Sequence, residues 1–280
     1  MKFEEVQNWY QNFAANYTLQ QRKDWYSGVA DEYEQARPSY PQELINRAVE
    51  IAKLPQNAVI LELGCGPGKA TTAFAEKGFS MICLEPSQQA SEIAKCNCDY
   101  ENVEIVNTSF EEYLLDNKRF NAVLAANAWH WMPPEIKYKK AAEALKDHGN
   151  LILLWNLTPQ LPYEVYQAID EQVYQIQAPD LALTKYENRE TQEEILEAFG
   201  RDVLDSGLFN NVVSEQVLCE DTYSIDRYLM LLNTGSNYRV LEPQQKENVF
   251  NGLREVLSRH GASVAVSYLA AVQVATKNLN

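Results

Sequence analysis

Residues Val59 to Thr72 read VILELGCGPGKATT. This stretch combines a short apolar run, the acidic Glu62, the three glycines Gly64, Gly66 and Gly68, and then residues that favour a helix. Glycines at this spacing let the backbone turn sharply after a strand and let a ligand lie against the main chain. The stretch therefore predicts a strand, a ligand-binding loop and a helix.

Short apolar runs alternate with helical patterns along most of the chain. Runs this short and this apolar are typical of strands buried on both faces, and their alternation with helices indicates parallel pairing. We predict an α/β, doubly wound, Rossmann-like sheet of seven mostly parallel strands with helices on both faces. The predicted strands are Val59–Leu63, Met81–Leu84, Val103–Val106, Ala122–Ala126, Leu151–Trp155, Val212–Leu218 and Ser263–Thr276.

The remaining segments predict helices added to this sheet. Apolar residues recur at helical spacing before Pro38, and strand patterns lapse for about fifty residues after Pro159, which suggests an insertion. We therefore expect an N-terminal helical segment that covers the site (1–40), a ligand-binding core (41–158 and 205–280) and a helical lid insertion (159–204).

Composition narrows the class of protein. The 280 residues carry 24 basic against 39 acidic side chains, a net charge of −15, which disfavours nucleic acid and anionic membranes as partners. The five cysteines lack the paired spacing of a zinc site, so we expect no metal. The amino-terminal residues do not resemble a signal peptide, and no run approaches the ~20 apolar residues of a membrane span. These features predict a cytoplasmic protein that is a monomer or a homodimer.

Two acidic residues distinguish between possible cofactors. Glu62 precedes a G-x-G-x-G loop, and a carboxylate there would repel a pyrophosphate but could help to hold the ammonium group of S-adenosylmethionine (SAM). Glu85 ends the next strand about twenty residues after the loop, where a carboxylate can bind both ribose hydroxyls. The pattern favours SAM over a nicotinamide cofactor, although an oxidoreductase remains an alternative.

Five segments in order resemble the class I SAM-dependent methyltransferases, most closely the small-molecule branch of the trans-aconitate and biotin-pathway enzymes. The resemblance is strong from Trp25 to Trp155. The segments are Arg37-Pro38-Ser39-Tyr40-Pro41, Glu62-Leu63-Gly64-Cys65-Gly66-Pro67-Gly68, Leu84-Glu85-Pro86-Ser87, Thr108-Ser109-Phe110-Glu111-Glu112 and Ala126-Asn127-Ala128-Trp129-His130-Trp131.

The resemblance implies roles for individual residues. Glu85, beside Pro86, would hold the ribose, and Ser109 and Phe110 would flank the adenine, although many relatives carry Asp in place of Ser109. The methionine end would be lined by Gly64, Cys65 and Gly66, with Arg37 on its carboxylate and Tyr33 nearby. Asn127 and Ala128 would lie near the reactive sulfonium, and the product would be S-adenosylhomocysteine.

His130 is the candidate catalytic residue, because a histidine beside the methyl group could remove a proton from the acceptor. It could equally be a wall residue, since in-line methyl transfer can proceed by alignment and desolvation alone. We expect transfer to a small-molecule acceptor. The alternatives are a macromolecular acceptor and a SAM-binding protein without catalysis.

Overall fold

The computed structural model describes residue 14, residues 17–182 and residues 186–279. Seven strands form a single sheet. They are β1 (Val59–Leu63), β2 (Ser80–Leu84), β3 (Val103–Val106), β4 (Phe120–Ala126), β5 (Leu145–Asn156), β6 (Phe209–Ser224) and β7 (Ser263–Lys277). Every predicted strand is present, and the later ones extend beyond their predicted limits.

The sheet has the order β3-β2-β1-β4-β5-β7-β6. Strands β1 to β5 pair in parallel, and β7 runs antiparallel to both β5 and β6. After β3 the chain crosses to the other side of β1, so the winding direction changes between β1 and β4. In open α/β sheets, ligands bind outside the carboxyl ends of the strands at such a switch point.

Helices surround this sheet and extend beyond it. They are α1 (Leu19–Asp24), α2 (Ala30–Ala36), α3 (Gln42–Ile51), α4 (Lys69–Ala75), α5 (Gln88–Asn97), α6 (Pro134–Ala144), α7 (Tyr163–Ile169), α8 (Gln175–Gln177), α9 (Pro179–Ala182), α10 (Arg189–Asp205), α11 (Ile225–Asn233), α12 (Ser236–Arg239) and α13 (Pro243–Arg259). A 3-10 helix spans Trp129–Trp131, and a π-helix, Asp170–Tyr174, joins α7 to α8.

The sheet separates two apolar cores. Successive side chains of a strand point to opposite faces, so Ile60 enters one core while Leu61 and Leu63 enter the other. All three are fully buried. Burial on both faces explains why the strands read as continuous apolar runs and confirms the doubly wound α/β architecture.

The helices beyond the sheet pack differently from the predicted division of the chain. A third core joins α7 and the π-helix to α11 and α13, through residues such as Val173, Leu229 and Leu253. In contrast, α10 packs on the sheet through Ile195 and Phe199. The helical layer thus takes residues from both sides of the expected boundary at 204/205, because apolar faces distant in sequence cover one another.

Two further expectations concern the amino-terminal helices and the absence of membrane-spanning segments. Of the apolar residues at helical spacing before Pro38, Phe3 to Phe13 lie outside the described residues, whereas Ala30 and Tyr33 lie on α2. Within the described ranges, every helix is too short or too polar to cross a bilayer.

Candidate functional site

Two adjoining cavities lie at the carboxyl ends of β1, β2 and β4. The first, the Arg37 cavity, has a volume of about 510 Å³ and is lined by Arg37, Tyr40, Cys65, Lys69 and Asn156 among others. The second, the Glu85 cavity, has a volume of about 860 Å³. Both are lined by Tyr33, Gly64, Gly66, Pro67, Ala126 and Asn127. They therefore adjoin in one cleft at the switch point between β1 and β4.

The three positions of the loop after β1 require glycine for different local reasons. Gly64, Gly66 and Gly68 all adopt positive φ angles, of 64°, 55° and 96°. A Cβ on Gly64 would lie 2.9 Å from the Cβ of Ala128, and a Cβ on Gly68 would lie 2.4 Å from the Sγ of Cys98. A Cβ on Gly66 would meet no atom within 4 Å. Gly64 and Gly68 thus permit close packing of neighbouring side chains, and Gly68 lies outside both cavities. Gly66, in contrast, leaves the main chain open to a ligand.

Glu85 lies directly after β2 and lines the Glu85 cavity. Its Oε2 accepts a hydrogen bond from the Gly66 amide at 2.8 Å, and its Oε1 accepts one from the Ser87 amide at 2.8 Å. Burial raises the pKa of Glu85 to about 7, against the effect of these two amides. The carboxylate therefore fixes the glycine loop while it borders the space where a ribose would lie.

Glu62 occupies a different position from the one its sequence context suggests. It is fully buried, and its Oε2 accepts a hydrogen bond from the Thr71 hydroxyl at 2.6 Å. Burial raises its pKa to about 7 as well. Neither cavity includes Glu62 in its lining. Its carboxylate connects β1 to α4 beneath the loop, which argues against a direct contact with a ligand ammonium.

An amide network joins the ends of β4 and β5. Asn127 has a φ angle of 50°, and its Oδ1 accepts hydrogen bonds from the Tyr40 hydroxyl at 3.0 Å and from the Asn156 amide at 2.7 Å. Its Nδ2 donates to the Asn156 carbonyl at 2.8 Å. The side chain of Asn156 donates in turn to the carbonyls of Pro38 and Ser39, at 3.1 and 3.3 Å. The Arg37–Pro41 segment is thereby fixed to the sheet.

Cationic groups concentrate in the Arg37 cavity. Arg37 Nε donates to the Thr234 hydroxyl at 2.9 Å, and its guanidinium lies 5.3 Å from the centre of the Tyr33 ring. Among the described residues, no carboxylate pairs with Arg37. Lys69 donates to the Glu34 carbonyl at 2.6 Å and lies 3.3 Å from its carboxylate. The cavity can thus accept an anionic group beside Arg37.

The predicted adenine residues, Ser109 and Phe110, lie in the other cavity together with two further predicted site residues. Pro86, Ser109, Phe110 and Ala128 all line it. The Ser109 hydroxyl donates to Glu112 Oε2 at 3.0 Å and accepts from the Glu112 amide at 3.3 Å. Cys65, by contrast, lines the Arg37 cavity, and its thiol donates to the Gly66 carbonyl at 3.7 Å.

The N-terminal helices cover the Glu85 cavity. Leu19, Arg22 and Lys23 of α1 contribute to its lining, as do Tyr26 and Tyr33. Arg22 forms an ion pair with Glu111, and Lys23 forms one with Glu112 at 2.6 Å. Tyr26 packs against Tyr33 and Trp131 with ring centres 5.3 and 5.4 Å apart. An aromatic wall therefore closes the cleft opposite the glycine loop.

His130 lies behind this wall. Its ring stacks on Trp155 at 6.0 Å and lies 5.8 Å from Trp131, and neither cavity reaches it. Burial lowers the pKa of His130 to about 3, with further contributions from Lys137 and Arg37. The imidazole is neutral at pH 7 and only weakly basic, so the structure favours the wall position over the predicted catalytic role.

Sequence reasoning missed several lining residues. Tyr40 belongs to the quoted Arg37–Pro41 segment, so its motif could have indicated it. Asn156 and Lys69 carry no local signal, because each acts through contacts with residues far away in the chain.

Comparison with known proteins indicates the class of this domain. Residues 60–149 match the family described as "Methyltransferase domain". An uncharacterized methyltransferase of Mycobacterium tuberculosis is 35% identical over 124 residues, which cover 44% of this chain and 49% of that protein. An uncharacterized methyltransferase of Schizosaccharomyces pombe is 25% identical over 235 residues, which cover 82% of this chain and 85% of that protein. The chain spans about half the length of the curated relatives that match it at 35% identity.

A solved structure extends the likeness to the fold. A putative type II methyltransferase from Anaeromyxobacter dehalogenans superposes with a TM-score of 0.58 at 18% identity, covering 85% of this chain and 97% of that one. Residues 60–149 therefore resemble a methyltransferase domain, and the chain shares the fold of that putative methyltransferase. The glycine loop, Glu85 and Asn127 all lie within that domain.

Proposed function

We propose that the protein transfers the sulfonium methyl group of SAM to a small-molecule acceptor by in-line displacement. One observation carries this proposal: within a methyltransferase domain, the Glu85 carboxylate and the open main chain at Gly66 border the same cleft. The match of residues 60–149 to the methyltransferase family disfavours the oxidoreductase alternative.

The residues of the cleft fit the chemical groups of this methyl donor. Glu85 would accept hydrogen bonds from ribose hydroxyls, with Pro86, Ser109 and Phe110 around the adenine. Main chain at Gly64, Cys65 and Gly66 would line the amino-acid tail, and the Arg37 guanidinium is available to the tail carboxylate. Bound there, SAM supplies an electrophilic methyl group.

The chain itself contributes alignment and exclusion of water. Asn127 is held at a strained φ angle by Tyr40 and Asn156, which fixes the main chain of Asn127 and Ala128 beside the cleft. Tyr26, Tyr33 and Trp131 form an apolar wall whose ring faces favour a cationic centre. These contributions accelerate a displacement without a general base.

The covering helices support a small acceptor. A bulky macromolecule would have to displace α1 and its ion pairs to Glu111 and Glu112. The net charge of −15 further disfavours an RNA acceptor. A single chain or a homodimer would serve this function equally well.

Calorimetric titration tests the proposal most simply. We expect S-adenosylhomocysteine to bind in a 1:1 ratio and NADH to produce no heat. Incubation with SAM and panels of small carboxylates, phenols and amines should then release S-adenosylhomocysteine for one class of acceptor. Binding without release for any small or macromolecular acceptor would instead identify a SAM-binding protein without catalysis. Absence of binding would contradict the proposal.

A further inference from the structure

Asn156, which lines the Arg37 cavity, carries a buried oxygen that lacks a hydrogen-bond donor. Asn156 is 8% exposed, and no donor among the described residues reaches its Oδ1. A buried amide oxygen without a partner is costly, so its presence beside a cavity suggests that a ligand supplies the donor.

The orientation of this amide is determined by its neighbours. Nδ2 of Asn156 donates to the carbonyl oxygens of Pro38 and Ser39. A flipped amide would place Oδ1 against these two oxygens, which would repel it. The unpartnered atom is therefore the oxygen, and the group it requires is a donor such as N–H or O–H.

The other side-chain groups of the cavity are already engaged or are donors themselves. Oδ1 of Asn127 accepts two hydrogen bonds, and the Tyr40 hydroxyl donates one of them. Arg37 and Lys69 are cations, and none of the described lining residues is acidic. The cavity thus offers a cation for a carboxylate and, in Asn156 Oδ1, a buried oxygen that lacks a donor, which together match an α-amino acid.

We propose that Asn156 Oδ1 accepts a hydrogen bond from the α-ammonium group of the methyl donor's amino-acid tail. This inference rests on the proposed function. It moves ammonium recognition from Glu62, which lies beneath the loop, to the end of β5. Asn156 then has two tasks, since Nδ2 fixes the Pro38–Ser39 main chain while Oδ1 binds the ligand.

A comparison of two ligands separates these tasks. S-adenosylhomocysteine carries the α-amino group, and its deamino analogue has hydrogen in that place. Because hydrogen bonds to charged groups are strong, the wild-type protein should prefer S-adenosylhomocysteine by about 10- to 100-fold in Kd. In Asn156→Ala this preference should fall to about threefold or less. A purely structural role would weaken both ligands equally and leave the preference unchanged.

Two matched variants control the experiment. Asn150→Ala removes an equally buried amide of the same strand, whose Nδ2 donates to the Ala52 carbonyl at 3.0 Å far from the cleft. Glu62→Gln neutralises the carboxylate that the sequence associates with the ammonium. Both variants should retain the wild-type preference, and loss of the preference in Glu62→Gln would overturn the proposal.

Further outcomes also decide the question. Asn156→Ser serves if Asn156→Ala does not fold, since its shorter hydroxyl withdraws the acceptor but can still donate to a nearby carbonyl. A wild-type protein that binds the two ligands equally would overturn the proposal without any variant. A wild-type protein that binds neither ligand would contradict the proposed function itself.

Discussion

The two cavities of the cleft are built in different ways. The Glu85 cavity takes part of its lining from residues close to strand ends, such as Glu85 and Pro86 after β2 and Ser109 and Phe110 shortly after β3. The Arg37 cavity depends on contacts between segments more than a hundred residues apart, such as that of Asn156 with Pro38. Short motifs can therefore reveal the residues at the strand ends, whereas only the folded chain reveals that Asn156 belongs to the Arg37 cavity.

The largest effect should come from the loop that both cavities share. Gly68→Ala places a Cβ against Cys98 at a φ angle of 96°, so we expect a loss of about 2–5 kcal/mol in unfolding free energy and loss of S-adenosylhomocysteine binding. Gly66→Ala meets open space and should cost only about 1–2 kcal/mol. Urea unfolding measures both. Equal losses would contradict the distinction, and adding Cys98→Ala should restore part of the stability of Gly68→Ala.

The next largest effect should distinguish the two buried carboxylates. Glu85→Gln replaces one of the two acceptor oxygens by a donor NH₂ group, so the ribose hydroxyls and the Gly66 and Ser87 amides compete for the single oxygen that is left. Its affinity for S-adenosylhomocysteine should fall by about 10- to 100-fold. Glu62→Gln should change the affinity by about threefold or less, because Glu62 is sealed beneath the loop. Calorimetry on both variants tests this order, and the reverse order would assign the ligand to Glu62.

A smaller effect concerns pH. Burial raises the pKa of both Glu62 and Glu85 from 4.5 to about 7. Between pH 4.5 and about 7, both carboxyl groups hold protons in the folded protein that they release in the unfolded chain. The stability that the two protonated groups contribute is therefore fully present below pH 4.5 and is lost as the pH rises through 7. Glu62→Gln should remove its share of this decline, at most about 1.4 kcal/mol per pH unit. Urea unfolding at pH 5, 6 and 7.5 measures the slope, and an unchanged slope would contradict the burial of an ionisable group there.

The smallest effect is expected at His130, outside both cavities. His130→Phe should leave the affinity for S-adenosylhomocysteine within about threefold of wild type, because a neutral stacked ring is replaced by another. With a pKa of about 3, His130 should also contribute no step near pH 6.5 to the rate of methyl transfer. A rate step near pH 6.5 that disappears in His130→Phe would restore the catalytic role.

The sequence predicted those parts of the molecule that depend on neighbouring residues. A strand buried on both faces appears in the sequence as a continuous apolar run, and the turn after β1 appears as glycines. Both features can therefore be predicted from neighbouring residues. The direction of the Glu62 side chain could not be predicted in this way, because it depends on a hydrogen bond from the Thr71 hydroxyl of α4. The packing of α11 and α13 on α7 was not predicted for a similar reason, since these helices come from a distant part of the chain.

A crystal structure of the protein with S-adenosylhomocysteine tests the central claim most directly. We predict ribose hydroxyls on the Glu85 carboxylate, the tail carboxylate beside Arg37 and the ammonium group within hydrogen-bond distance of Asn156 Oδ1. An empty cleft at saturating ligand, or a ligand bound elsewhere on the molecule, would contradict it.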